Sequence, residues 1–197
     1  YYDAAPWRGT WEQDGGAMMN QCIHDVDLLL WMLGKPKKIW GWTANRTHRY
    51  IEAEDLGVAV IEFESGAIGT VEGTTAVYPE NLEETLTVLG SRGTVKLGGK
   101  SVNRVEVLRC GALTEEEEQS LARQNSEEPP NIYGLGHRPL YHDMICAIWE
   151  GRPPLVDGAA GYRAVETVLA LYRSAALGRE VSFPLREGST LDYRRIW

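Results

Sequence analysis

The 197 residues are 43% hydrophobic and 24% charged, enough apolar material for a buried core in an ordinary globular protein. A net charge of −8 argues against a nucleic-acid or anionic-membrane partner. No apolar run approaches the roughly 18 residues of a membrane span, and the start, YYDAAPWRGTW, is unlike a secretion signal. Three cysteines without paired spacing read as reduced thiols of a cytoplasmic protein, with no metal site. The first residue is not Met and the pattern begins abruptly, so the chain reads as a piece of a longer protein.

Residues 1–13 are aromatic and irregular, with Tyr1, Tyr2, Trp7 and Trp11 around Arg8. The stretch from Asp14-Gly15-Gly16 to Gly34 then predicts one helix over 16–33, about five turns long. Met19, Ile23, Val26, Leu30 and Leu33 fall on one stripe, and Cys22, Leu28, Leu29 and Met32 widen it, so this helix is expected to be buried. Asn20, His24 and Asp27 sit at i, i+4 and i+7 and share one narrow face. Unpaired polar groups are costly to bury, which makes this triplet the leading candidate for chemistry. Gly34 and Pro36 end the helix.

Strands are predicted over 37–46, 54–64 and 67–75, the last two joined by a Ser65-Gly66 hairpin turn, then over 85–89, 94–97 and 104–109. Residues 112–133, acidic and then rich in Ser, Asn and Pro, read as a variable, partly helical surface insertion. Helices follow over 136–150 and 158–177, the second capped by Asp157 and stopped by Gly178, before a short strand at 181–185. This order predicts one α+β domain over residues 1–197: a mainly antiparallel mixed sheet with helices packed on one face. Trp40, Ile61, Phe63, Val71 and Leu89 make several strands apolar on both sides. The other face is therefore expected to be open for contact with a subunit or domain.

The nearest approach to a dinucleotide fingerprint is Gly134-Leu135-Gly136-His137-Arg138-Pro139. It lacks the third glycine and follows a loop rather than a strand, and no GxxxxGK[ST] loop is present. No cofactor-binding residue is expected in this chain.

Trp7-Arg8-Gly9-Thr10-Trp11, Gly15-Gly16, Asn20-Gln21 and Ile23-His24 with Asp27 together resemble a signature. It is that of the glucose–fructose oxidoreductase, inositol dehydrogenase and MocA (Gfo/Idh/MocA) family of NAD(P)-dependent oxidoreductases. The resemblance continues through Glu54-Asp55, the hairpin from Phe63 to Gly69, Tyr78-Pro79, Gly136-His137, the run from Gly151 to Gly158, and Tyr172-Arg173-Ser174-Ala175. It is to the family's C-terminal half, whose members carry an N-terminal Rossmann domain that binds NAD or NADP and supplies a lysine from a Glu-Lys-Pro motif. Lys35-Pro36 is not that motif.

The resemblance implies the substrate-binding and oligomerisation domain of an enzyme that oxidises a hydroxyl of a sugar, nucleotide sugar or polyol by hydride transfer. The isolated chain is then expected to be inactive and to bind no cofactor alone. Its partners would be the sugar, its own Rossmann domain, and further copies in a homodimer or homotetramer. By position His24 matches the family's active-site histidine, and an imidazole suits that task because it exchanges protons near neutrality. Asn20 stands where many members have an aspartate, and an amide there can orient a hydroxyl but not take its proton. Arg8, Asp27, Tyr78 and His137 are candidate substrate-binding residues. The structural alternatives are Arg8 stacked between Trp7 and Trp11, Asp27 steadying the imidazole, and His137 capping a helix. A non-catalytic, homo-oligomerising sugar-binding module is the alternative reading of the whole.

Overall fold

In chain order the elements are α1 (Ala17–Asn20), α2 (Ile23–Leu33), β1 (Pro36–Ala44), β2 (Leu56–Phe63), β3 (Ile68–Thr74), β4 (Leu86–Gly90), β5 (Gly93–Gly98), β6 (Arg104–Cys110), α3 (Glu115–Gln124), α4 (His137–Glu150), α5 (Gly158–Leu177) and β7 (Val181–Ser182). They come from a computed structural model that describes residues 1–127 and 134–194, so part of the acidic insertion lies outside it. The chain is α+β. It divides into two compact units, Tyr1–Val77 with Gly158–Trp197, and Tyr78–Asp157.

The first unit is built on a sheet of order β3-β2-β1-β7, with every pair antiparallel. Side chains alternate across such strands, and the register sorts them into two faces. Ile39 opposite Ile61 and Gly41 opposite Ala59 point inward, with Phe63 beside them. Trp42, Val58 and Glu72 form one outward row, and Trp40, Val60 and Thr70 the next. Trp40 and Trp42 stack at 5.4 Å between ring centroids while remaining about half exposed. The inner face is covered by α5 and α2, which bury Val168, Leu171, Val26, Leu29 and Leu30.

What the alternation does not convey is how closely α1 sits on this sheet. Met18 is fully buried directly over Gly57, where a Cβ would collide with its Cγ. Cys22 sits over Gly73, where a Cβ would collide with its Sγ. Glycines in β2 and β3 are therefore the seats of this segment, a use of strand glycine that follows from close approach rather than from turning.

The stretch predicted as one helix over 16–33 is two. Gln21 N and Cys22 N both donate to Ala17 O, at 3.0 and 2.9 Å, the second reaching five residues back. This widened turn adds a residue relative to a continuous α-helix, so a count of 100° per residue does not run through it. The buried stripe shifts accordingly. Met18, Val26, Leu29 and Leu30 are buried, while Met19, Ile23 and Leu33 are only half-buried.

The second unit holds the antiparallel sheet β4-β5-β6. Helix α3 opens on a reciprocal cap between Thr114 and Glu117. It anchors to β6 through buried Glu118, which accepts from Cys110 N at 2.6 Å and Arg109 Nη1 at 3.1 Å. Asp143 of α4 accepts from Arg152 and from Leu155 N, closing the loop that follows the helix.

Candidate functional site

Two buried carboxyls build the scaffold of the site. Glu54, immediately before β2, takes the place of a cap for α1. Its backbone oxygen accepts from Ala17 N at 2.9 Å, and its Oε1 accepts from Met18 N at 2.9 Å and Tyr172 Oη at 2.8 Å. Helix starts leave such amides without partners, and here one side chain serves both α1 and α5. Glu54 Oε2 has no partner among the described residues and lies against Gly16, which leaves no room for a Cβ. Burial pushes the Glu54 carboxyl up to about 7, against the hydrogen bonds from Met18 and Tyr172.

Asp55 has the opposite fate. Burial pushes it up, but the amides of His48, Arg46 and Thr47 and the His48 ring outweigh that and hold it below the usual carboxylate range. Asp55 therefore shapes the loop after β1. Tyr2, edge-on to His48 at 5.0 Å, ties the N-terminal segment to that loop.

On this scaffold Asn20 is the last residue of α1 and His24 lies in the first turn of α2. His24 is exposed and Asn20 half-buried. The break at Gln21 and Cys22 falls between them, so their spacing of four is not a plain helical turn, and no hydrogen bond joins them among the described residues. Asp27 makes no hydrogen bond to His24 either. The acid that feels His24 is Asp25, whose carboxyl is raised by burial, with the charge of His24 opposing that rise. The helical count pointed to Asp27 instead, because it considers faces and not the immediate chain neighbour.

Arg8 lies over Tyr1, 4.1 Å from the ring centroid, and 5.4 Å from Trp7, and donates from Nη1 to Tyr1 O at 2.9 Å. The expected sandwich between Trp7 and Trp11 does not form because Trp11 is in the core, edge-on to Tyr172 at 5.3 Å. Tyr78 and His137, both exposed, belong to the second unit, and His137 is the first residue of α4.

Three polar residues that the helical count did not select surround Asn20. Its Oδ1 accepts from Tyr1 Oη and from Gln21 Nε2, both at 2.6 Å, and its Nδ2 donates to Asp14 Oδ1. Asp14 Oδ2 accepts from Gly9 N at 2.8 Å. Asp14 precedes the Gly15-Gly16 break and so lay outside any helix face. Spacing alone carried no signal for it.

The described residues do not form a Rossmann dinucleotide unit. Such a unit needs parallel strands joined through a helix, whereas every described strand pair is antiparallel. They contain no group of three or more His, Cys, Asp or Glu able to hold a metal ion, and no helix long and apolar enough to cross a membrane.

A model of the oxidoreductase family, C-terminal alpha/beta domain (GFO_IDH_MocA_C), matches residues 2–183. The chain belongs to this family. Among solved structures, the WlbA dehydrogenase of Bordetella pertussis, in complex with NADH and UDP-GlcNAcA, is 39% identical. It superposes with a TM-score of 0.83 over 94% of this chain and 53% of its own. The WlbA dehydrogenase of Chromobacterium violaceum, in complex with the same two ligands, is 40% identical, with a TM-score of 0.79 over 95% and 51%. Levoglucosan dehydrogenase with NADH and L-sorbose shares the fold at 19% identity, with a TM-score of 0.69 over 86% and 50%. No curated protein matches by sequence. This family member thus spans about half the length of the solved relatives it matches. Those relatives are nicotinamide-dependent dehydrogenases, and the family is one of oxidoreductases.

Proposed function

We propose that this chain is the substrate-binding half of an NAD(P)-dependent oxidoreductase that oxidises a hydroxyl of a nucleotide sugar by hydride transfer, and that its substrate is a UDP-linked sugar acid. The observation that carries this reading is the 39–40% identity, over nearly the whole chain, to two dehydrogenases solved with NADH and UDP-GlcNAcA. The cofactor is held by the other half of the enzyme, which also brings a lysine to the reaction.

On this reading His24, exposed in the first turn of α2, takes the proton from the substrate hydroxyl and returns it in the reverse direction. Asn20 orients that hydroxyl. Arg8 meets an acidic group of the substrate, and Asp27 supports the helix face.

The test is NADH formation by the two-domain enzyme from NAD+ with UDP-GlcNAcA, against UDP-GlcNAc, which lacks the carboxylate. A kcat/KM at least about tenfold higher for the acid is expected, because a site built for a charged group is left with unpaired groups by a neutral analogue. Equal values would remove the sugar-acid assignment. Binding of UDP-GlcNAcA without any turnover would favour the non-catalytic module instead. The isolated 197-residue chain is expected to show no turnover and no heat of NAD binding. Measurable NAD binding by it would contradict the assignment of the cofactor to the missing half.

The open face of the first sheet is assigned to self-association. Trp40 and Trp42 stack there beside Val58, Val60 and Ile68, all exposed, and apolar patches of this kind are covered in assemblies. The double substitution Trp40→Glu and Trp42→Glu is expected to shift sedimentation from dimer or tetramer to monomer without loss of fold. An unchanged assembly would move the interface elsewhere.

A further inference from the structure

We propose that Asp14 is a positioning residue: its carboxylate fixes the Asn20 amide so that Asn20 offers the substrate one N–H donor and no acceptor. This rests on the reading of Asn20 as a substrate-facing residue, and it adds a polarity to that reading.

The hydrogen bonds account for Asn20 almost completely. An amide oxygen has two lone pairs, and those of Asn20 receive Tyr1 Oη–H and Gln21 Nε2–H. An amide nitrogen has two hydrogens, and one goes to Asp14 Oδ1. One N–H therefore remains. Asn20 could turn its amide over only by presenting Oδ1 to Asp14. A carboxylate accepts and never donates, so that arrangement would oppose two acceptors.

Asp14 is held independently of the helix that carries Asn20. Its other oxygen accepts from Gly9 N, and its own backbone N donates to Thr10 O at 3.1 Å, closing the turn. Tyr1 stays a neutral donor toward Asn20, since burial and then the charge of Asp14 raise its phenol above the ordinary value. The polarity suits the chemistry. As His24 removes the proton from a hydroxyl, the oxygen gains negative charge, and a fixed N–H stabilises it where a free lone pair would repel it.

The experiment uses the two-domain enzyme with UDP-GlcNAcA and NAD+. Asp14→Ala frees the Asn20 amide to turn, and kcat is expected to fall about tenfold to a hundredfold with KM nearly unchanged. The transposition Asp14→Asn with Asn20→Asp separates position from chemistry. The carboxylate, now at position 20, would accept from Tyr1, Gln21 and the amide at position 14. The oxygen of that amide would accept from Gly9 N, so every hydrogen bond survives, the one between the exchanged pair in reversed polarity. The free N–H at position 20 does not. Thermal stability is expected to return to the wild-type value while kcat remains at least about tenfold down. Wild-type kcat in the transposed enzyme, or in Asp14→Ala, would overturn the proposal and leave Asp14 as a turn residue. His24→Ala and Asn20→Ala serve as controls: if both retain full turnover, the site itself is wrongly placed. If they lose turnover while the Asp14 variants do not, only the role of Asp14 fails.

Discussion

Replacing His24 by alanine in the two-domain enzyme is expected to lower kcat for UDP-GlcNAcA by about 10²–10⁴-fold, the usual contribution of a positioned general base. Cofactor affinity should be unchanged, since the described strands, all paired antiparallel, form no Rossmann unit to hold a dinucleotide. The size of the loss can be read as chemistry because the site of substitution is structurally inert. His24 is exposed, makes no hydrogen bond to another described residue, and sits on a helix whose anchoring falls to Val26, Leu29 and Leu30. Substitutions at exposed positions that make no special contact usually change stability by only about half a kcal/mol. Asp25 adds a control. Its half-buried carboxyl carries no hydrogen bond to the ring, so Asp25→Asn should leave the maximal rate close to that of the wild type. A His24→Ala enzyme with kcat within about threefold of wild type would remove the histidine from the reaction and leave Asn20 without its neighbour's purpose.

How far the sequence reaches into this fold depends on the kind of signal. Strands joined by tight turns were legible because alternation and turn chemistry are local. The Ser65-Gly66 turn closes β2 onto β3, with Gly66 in the left-handed region, and Gly178 ends α5 in the same way. The α+β class followed from element order alone. The break between α1 and α2 was not legible. It arises where Met18 and Cys22 descend into glycine seats on β2 and β3, strands that lie about 35 to 55 positions further along the chain. Helical counting spreads apolar residues evenly around an ideal axis and has no knowledge of a seat. The same limit applied to the site. The helical count placed Asp27 on the face of His24, whereas the carboxyl that carries the charge interaction with His24 is that of its chain neighbour Asp25. Arg8 found Tyr1 rather than Trp11 because the core claimed the tryptophan. His24 and Asn20 were singled out by their spacing and by the pattern of neighbouring motifs, whereas the contact of Asp14 with Asn20 became visible only once the loop before α1 folded back.

The second large effect concerns Glu54 and is expected in the 197-residue chain by itself. Its carboxyl titrates at about 7 when folded, against 4.5 for an ordinary glutamate, because burial disfavours the charged form. The folded state thus holds this proton more tightly than the unfolded state. The resulting stability is fully present below about pH 4.5 and is lost as pH rises through about 7. It amounts to something on the order of 3 kcal/mol. The charged groups facing Glu54 do not cancel it in that window. Tyr172 is raised well above 10.0 by burial and then by the Glu54 charge, so it remains a donor throughout, and Tyr2 is raised to about 12. Asp55, depressed below 3.8, is already ionised on both sides of the window. Glu54→Gln keeps an oxygen for Met18 N and Tyr172 Oη while removing the titration. Urea unfolding across about pH 5 to 8 should therefore show a wild-type midpoint that falls with pH more steeply than that of the variant. The histidines contribute equally to both and drop out of the difference. Parallel curves would mean that Glu54 ionises in the folded protein much as it does in water. Its buried position between α1 and α5, the support on which Asn20 and His24 are presented, would then have to be relaxed enough to admit solvent.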